Sequence, residues 1–112
     1  MSEIEQLSKS FSQLQSNLSD LVVTRRQLET QFQENKIVKD EFNKLDDESK
    51  IYKLVGPVLL PQDSNEANMN VDKRIEFIKG EIDRVEAKIA GIQKDMEKTR
   101  TELIQATTQR SA

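Results

Sequence analysis

Apolar residues recur at alternating steps of three and four through two long stretches of this 112-residue chain. In the first, Ile4, Leu7, Phe11, Leu14, Leu18, Leu21, Arg25, Leu28 and Phe32 follow that rhythm. In the second, Val71, Ile75, Ile78, Ile82, Val85, Ile89, Ile92, Met96, Thr99, Leu103 and Ala106 keep it without a slip. A mean spacing of about 3.5 residues lays a narrow apolar stripe along an α-helix, and that stripe is covered by winding another helix against it. The pattern therefore predicts paired helices. It leaves little for anything else to be built around.

Composition narrows the chemistry. Hydrophobic residues make up 35% of the chain and aromatic ones 4%, against 33% charged, so filling the two stripes uses most of the apolar area. With no cysteine and no histidine, disulfides and thiolate metal sites are excluded, and the commonest metal ligand and general base are missing. No cofactor is expected, and no enzyme. Catalysis would fall to carboxylates or lysines on exposed helices, where nothing desolvates them. The net charge is −3, with bases interspersed among acids, which gives no stripe suited to nucleic acid. No apolar run approaches the ~20 residues that cross a membrane. The acidic start Met1-Ser2-Glu3-Ile4-Glu5 is unlike a signal peptide, so a cytoplasmic setting is expected.

Ser2 followed by Glu5 fits a capping box, and the first helix is expected over residues 2–45, ending before Asp46, Asp47 and Glu48 meet the negative end of its dipole. The second is expected over 70–110, with Asn70 as N-cap and Asp72 in its first turn. At ~1.5 Å per residue the two reach roughly 65 and 60 Å, so folding back into an antiparallel pair is the simple solution. Nine of twelve stripe positions from Ile4 to Phe42 are apolar, and ten of twelve from Val71 to Arg110, so each helix can cover the other. The polar exceptions are Arg25, Asn35 and Lys39, then Thr99 and Arg110. They either fix the register or snorkel outward. Around residues 35–45 the set Val38, Phe42 and Leu45 offers a competing, slipped heptad. Gly80 and Gly91 lie off the stripe and read as tolerated exposed positions.

Between the helices, residues 50–62 read as a β-hairpin and 63–69 as a polar loop. Its core is Ile51-Tyr52-Lys53-Leu54-Val55-Gly56-Pro57-Val58-Leu59-Leu60. Gly56 accepts the positive φ of a type II′ turn and Pro57 the position after it. Val55 would then face Val58, and Leu54 would face Leu59. Both hairpin faces are apolar and its edges are unpaired, so residues 51–60 either pack on their own helix ends or join strands of other subunits.

Three stretches of this chain resemble the prefoldin family, in its β class. They are Glu34-Asn35-Lys36-Ile37-Val38-Lys39-Asp40-Glu41, Tyr52-Lys53-Leu54-Val55-Gly56-Pro57-Val58-Leu59 and Val71-Asp72-Lys73-Arg74-Ile75-Glu76-Phe77-Ile78. The implied fold is mainly α, an antiparallel two-helix coiled coil with a single β-hairpin at the bend, the whole of residues 1–112 forming one unit. The resemblance implies an ATP-independent co-chaperone, a heterohexamer of α- and β-class subunits joined through their hairpins. Its coiled-coil tips hold unfolded clients such as actin and tubulin chains for delivery to the cytosolic chaperonin.

The residues suggest how a tip could work. In an antiparallel coil, Ile4, Leu7 and Phe11 meet Leu103 and Ala106, with Ile104 just off the stripe. Helix ends fray, and apolar side chains opened there can contact exposed hydrophobic segments of a non-native protein. Alternatively these residues only close the coil. A tether that self-associates through its helices, without clients, is the competing functional class. Val22, Val23, Ile37 and Phe77 lie off the stripe, and the last two suit support of the hairpin end.

Overall fold

A serine opens the first helix as its sequence suggests. Ser2 Oγ accepts a hydrogen bond from the Glu5 backbone N–H at 3.2 Å, and the Ser2 carbonyl accepts one from Gln6 N–H at 3.1 Å. Glu3 and Glu5 occupy the first turn, against the positive end of the dipole. The structure is a computed structural model that describes the backbone of residues 2–52 and 61–111, with side chains at residues 2–44 and 66–109. Two helices account for it: α1, Glu3–Tyr52, and α2, Pro61–Ser111.

Both helices outrun the expected boundaries. α1 continues past Leu45 through Asp46, Asp47 and Glu48 to Tyr52, because no glycine or proline interrupts the chain before Gly56-Pro57. Those acids sit within the helix, and Lys50 falls in its last turn, where a cation suits the dipole. α2 begins at Pro61 rather than at Asn70. Proline is well placed at a first helical position, where its missing N–H would have no helical partner. The expected loop 63–69 is therefore helical, and Asn70 lies inside the helix. No strand occurs among the described residues. Ile51 and Tyr52, expected in a hairpin, are helical, and the rest of that segment, Lys53–Leu60, lies outside the described residues.

The chain divides into two compact units, one of Met1–Arg26 with Asp83–Ala112, the other Gln27–Ile82. In each, α1 packs against α2 as an antiparallel coiled coil. In the first unit, Arg25 Nη2 donates to Glu86 Oε1 at 2.9 Å. In the second, Lys39 Nζ lies 2.8 Å from Asp72 Oδ1 and donates to Asn68 Oδ1 at 2.7 Å. There too, Lys79 Nζ stands 5.8 Å from the centre of the Phe32 ring, a cation–π contact. In each pair 25/86, 32/79 and 39/72 the two residue numbers total 111. A slip by one heptad would change that total by about seven, so each contact reports the same register.

Burial follows the uninterrupted heptad. Every stripe position of α2 from Val71 to Ala106 is buried or half-buried, and along α1 from Ile4 to Phe42 only Arg25 is exposed. Lys39 is half-buried while Val38 is 38% exposed, so the slipped alternative through Val38 does not form. The core residues are Val71, Ile78 and Val85, at 5%, 6% and 6% exposure. Each precedes by one position a residue contacted from α1: Asp72, Lys79 and Glu86. A side chain reaching residue 72 or 86 from a stripe position of the other helix lays its aliphatic stem across the residue before it. Arg25 and Lys39 thus cover the core with their stems and keep their charges in water. Asn35 Nδ2 and Thr99 Oγ1 donate to their own helix, at the carbonyls of Gln31 (2.7 Å) and Asp95 (2.9 Å), which makes polar stripe positions tolerable.

Two measurements check this account. A Cβ at Gly91 would meet nothing within 4 Å, so Gly91→Ala should raise stability by about 1 kcal/mol, seen as a higher denaturant midpoint. If the stems matter more than the charges, Arg25→Met and Lys39→Met should hold the thermal midpoint near its starting value. Arg25→Ala and Lys39→Ala should each lower stability by about 1 kcal/mol, because exposed ion pairs alone contribute about 0–1 kcal/mol.

Candidate functional site

Two regions carry side chains that a paired helix alone does not require. The first lies in the unit that contains both chain ends, Met1–Arg26 with Asp83–Ala112. Of the stripe residues expected at the tip, Ile4, Leu7, Phe11, Leu103 and Ala106 are all half-buried. Ile104 is 58% exposed. Fully buried stripe residues begin only at Val85 in this unit, so the outer layers are closed less completely than the layer under Arg25.

The flanks explain that openness. Positions bordering the α1 stripe here are Ser8, Ser10, Gln15 and Asn17, and four of the five serines of α1's first half fall among residues 8–16. Short polar side chains cannot reach across to cover the opposite helix as Arg25 does, and serine is a weaker helix former than alanine. Two shallow grooves result. One is lined by Phe11, Leu18, Met96 and Gln93, with Glu97 and Arg100 at its rim. The other is lined by Gln6, Lys9, Ser10, Gln13, Leu14 and Asp95. Leu14, Leu18 and Met96 were not singled out for contact in the sequence. The signal that could have found them is the serine-rich flank, since a heptad pattern marks a stripe without saying where it stays uncovered.

Each groove offers apolar contact bordered by both signs of charge and by amides. Such a surface can take an apolar side chain from an extended or helical segment, with no groups placed for bond chemistry. Among the described residues no cluster of acidic side chains is arranged to hold a metal ion. No described helix is long and apolar enough to cross a membrane.

The second region belongs to the unit Gln27–Ile82. Ile37, Val38, Met69 and Phe77 are exposed large apolar residues there. Phe77, at 66% exposure, borders a groove with Leu28, Asn35 and Ile78, rimmed by Lys73 and Arg74. The expected assembly residues Ile51 and Tyr52 lie at the end of α1, and Lys53, Leu54, Val55, Gly56, Pro57, Val58, Leu59 and Leu60 fall outside the described residues.

Comparison with known proteins agrees with this architecture. The family model described as "Prefoldin subunit" matches residues 5–110. A Saccharomyces cerevisiae protein named prefoldin subunit 6 is 50% identical over 101 residues, covering 90% of this chain and 89% of its own. Human prefoldin subunit 6 is 40% identical over 95 residues, 85% of this chain and 74% of its own. A Drosophila melanogaster protein named probable prefoldin subunit 6 is 42% identical over 92 residues, 82% and 74% respectively. No solved structure matches at a significant level. Two helices paired as an antiparallel coil, matched over residues 5–110 by the family model and 50% identical over 101 residues to a relative, place this chain in the prefoldin subunit family.

Proposed function

We propose that this chain is a β-class subunit of a cytoplasmic, ATP-independent heterohexameric co-chaperone. It joins other α- and β-class subunits through residues 51–60 and holds unfolded clients of the actin and tubulin kind at its coiled-coil tip. From there clients pass to the cytosolic chaperonin. The observation that carries this reading is the partial closure of the stripe where the two chain ends meet. Ile4, Leu7, Phe11, Leu103 and Ala106 remain half-buried, and Ile104 is exposed beside them.

The energetics suit a holding function. Burying one Leu-class side chain completely contributes about 1.5–3 kcal/mol, and the tip residues have only part of their surface left to bury. One tip is then a weak, rapidly reversible site. Several tips on one assembly raise the effective concentration of apolar contacts, which gives useful retention while still allowing release. Grooves bordered by Gln6, Gln13 and Gln93 can accommodate varied sequences, since amides both donate and accept.

Replacing Ile4, Leu7, Leu103 and Ile104 with serine should leave the hexamer intact by native mass measurement. Suppression of aggregation of an unfolded actin chain should fall by roughly an order of magnitude. Ile104→Asp, at an exposed position, should produce part of the loss without altering helix content. Full holdase activity in the correctly assembled quadruple variant would refute the tip assignment.

A further inference from the structure

Exposed large apolar residues are concentrated in the unit Gln27–Ile82, which holds Ile37, Val38, Met69 and Phe77, whereas Val23 and Ile104 belong to the other. The Phe77 ring stands at an open groove with Leu28, Asn35 and Ile78, and the charged groups lining it are both cations, Lys73 and Arg74. Neither cation takes part in the ion pairs Arg25–Glu86 and Lys39–Asp72. Val38 lies one heptad beyond Gln31, another residue of the groove, and so shares its flank of α1. Phe32, by contrast, is matched by Lys79 within the coil. Phe77 has no such partner in view.

We propose that the Phe77 groove is a docking surface for a neighbouring subunit of the same hetero-oligomer, one that sets an apolar side chain against Phe77 and carboxylates against Lys73 and Arg74. The proposal rests on the assembly reading above and adds a contact outside the hairpin. Area argues for it. A stable interface buries about 800 Å² per partner and engages about 20–30 residues on a side. The segment between α1 and α2 is residues 53–60, eight in all, too few to supply that area. Helical surface in the same unit has to contribute, and among its described residues the largest bare apolar side chain is Phe77. Charge argues for the partner's chemistry: two unmatched cations favour an acidic surface and disfavour a basic one.

The test uses the full chain co-expressed with the other prefoldin subunits. Phe77→Asp should compete with the unaltered chain for incorporation about tenfold less well, in the range of an interface anchor. Lys73→Glu with Arg74→Glu should also reduce incorporation, and circular dichroism should show unchanged helix content in both variants. p-Benzoylphenylalanine at position 77 should photo-crosslink to a sister subunit in client-free hexamer. Normal incorporation of Phe77→Asp, or crosslinks to client or chaperonin alone, would overturn the proposal. Val55→Asp with Leu59→Asp separates the two claims. If that variant fails to assemble while Phe77→Asp assembles normally, only the groove is wrong. If it assembles fully while Phe77→Asp does not, the groove stands and the hairpin reading falls.

Discussion

Contacts that cross from one stripe to the flank of the other helix hold this structure in a single register. Arg25, Phe32 and Lys39 are spaced by one heptad and reach Glu86, Lys79 and Asp72, which are spaced by one heptad in the opposite sense. Apolar residues alone would tolerate sliding by a heptad, because leucine and isoleucine stripes look alike at each repeat. The contacts 25/86, 32/79 and 39/72 mark the alignment adopted, although each exposed ion pair among them contributes only about 0–1 kcal/mol. The three residues beside these contacts, Val71, Ile78 and Val85, are the best-buried among the described residues. Register and core thus coincide along the coil, and two of the three contacts come from Arg25 and Lys39, which interrupt the apolar pattern.

This bears on what a sequence can disclose. Each stripe residue of α2 from Val71 to Ala106 is buried or half-buried, because the period of apolar residues is a direct image of the surface that a partner covers. Arg25 and Lys39 were legible as exceptions. Their charged ends reach Glu86 and Asp72 with Arg25 exposed and Lys39 half-buried, as snorkelling requires. Helix boundaries were not legible. Asp46, Asp47 and Glu48 argued for a stop near Leu45, yet their penalty belongs only to a helix that ends there, and α1 runs on to Tyr52. Likewise Asn70 looked like a cap, while Pro61, read as the end of a strand, starts α2.

The surfaces were legible in part. Ile4, Leu7, Phe11, Leu103 and Ala106 could be gathered into one unit by assuming only that the chain doubles back, and the structure brings them there. Leu18 and Met96 required knowing that the serine-rich flank leaves the stripe uncovered. Phe77 was visible as an off-stripe aromatic with Lys73 and Arg74 one turn before it on the same helix, but the α1 side of its groove, Leu28, Gln31 and Asn35, follows only from the register. The chain belongs to a family of chaperone components, not enzymes, and its uncovered places are where the proposed contacts lie. Cores can be read from periodicity. Binding faces are departures from it.

The Arg25–Glu86 clasp sits at the inner margin of the unit that carries both chain ends. Pulling the ends apart would separate layers one at a time, and each outer layer resists weakly because its side chains are only half covered. The separation meets its first well-sealed layer at Val85. How far fraying from the ends can reach is then set by the number of half-covered layers outward of Arg25.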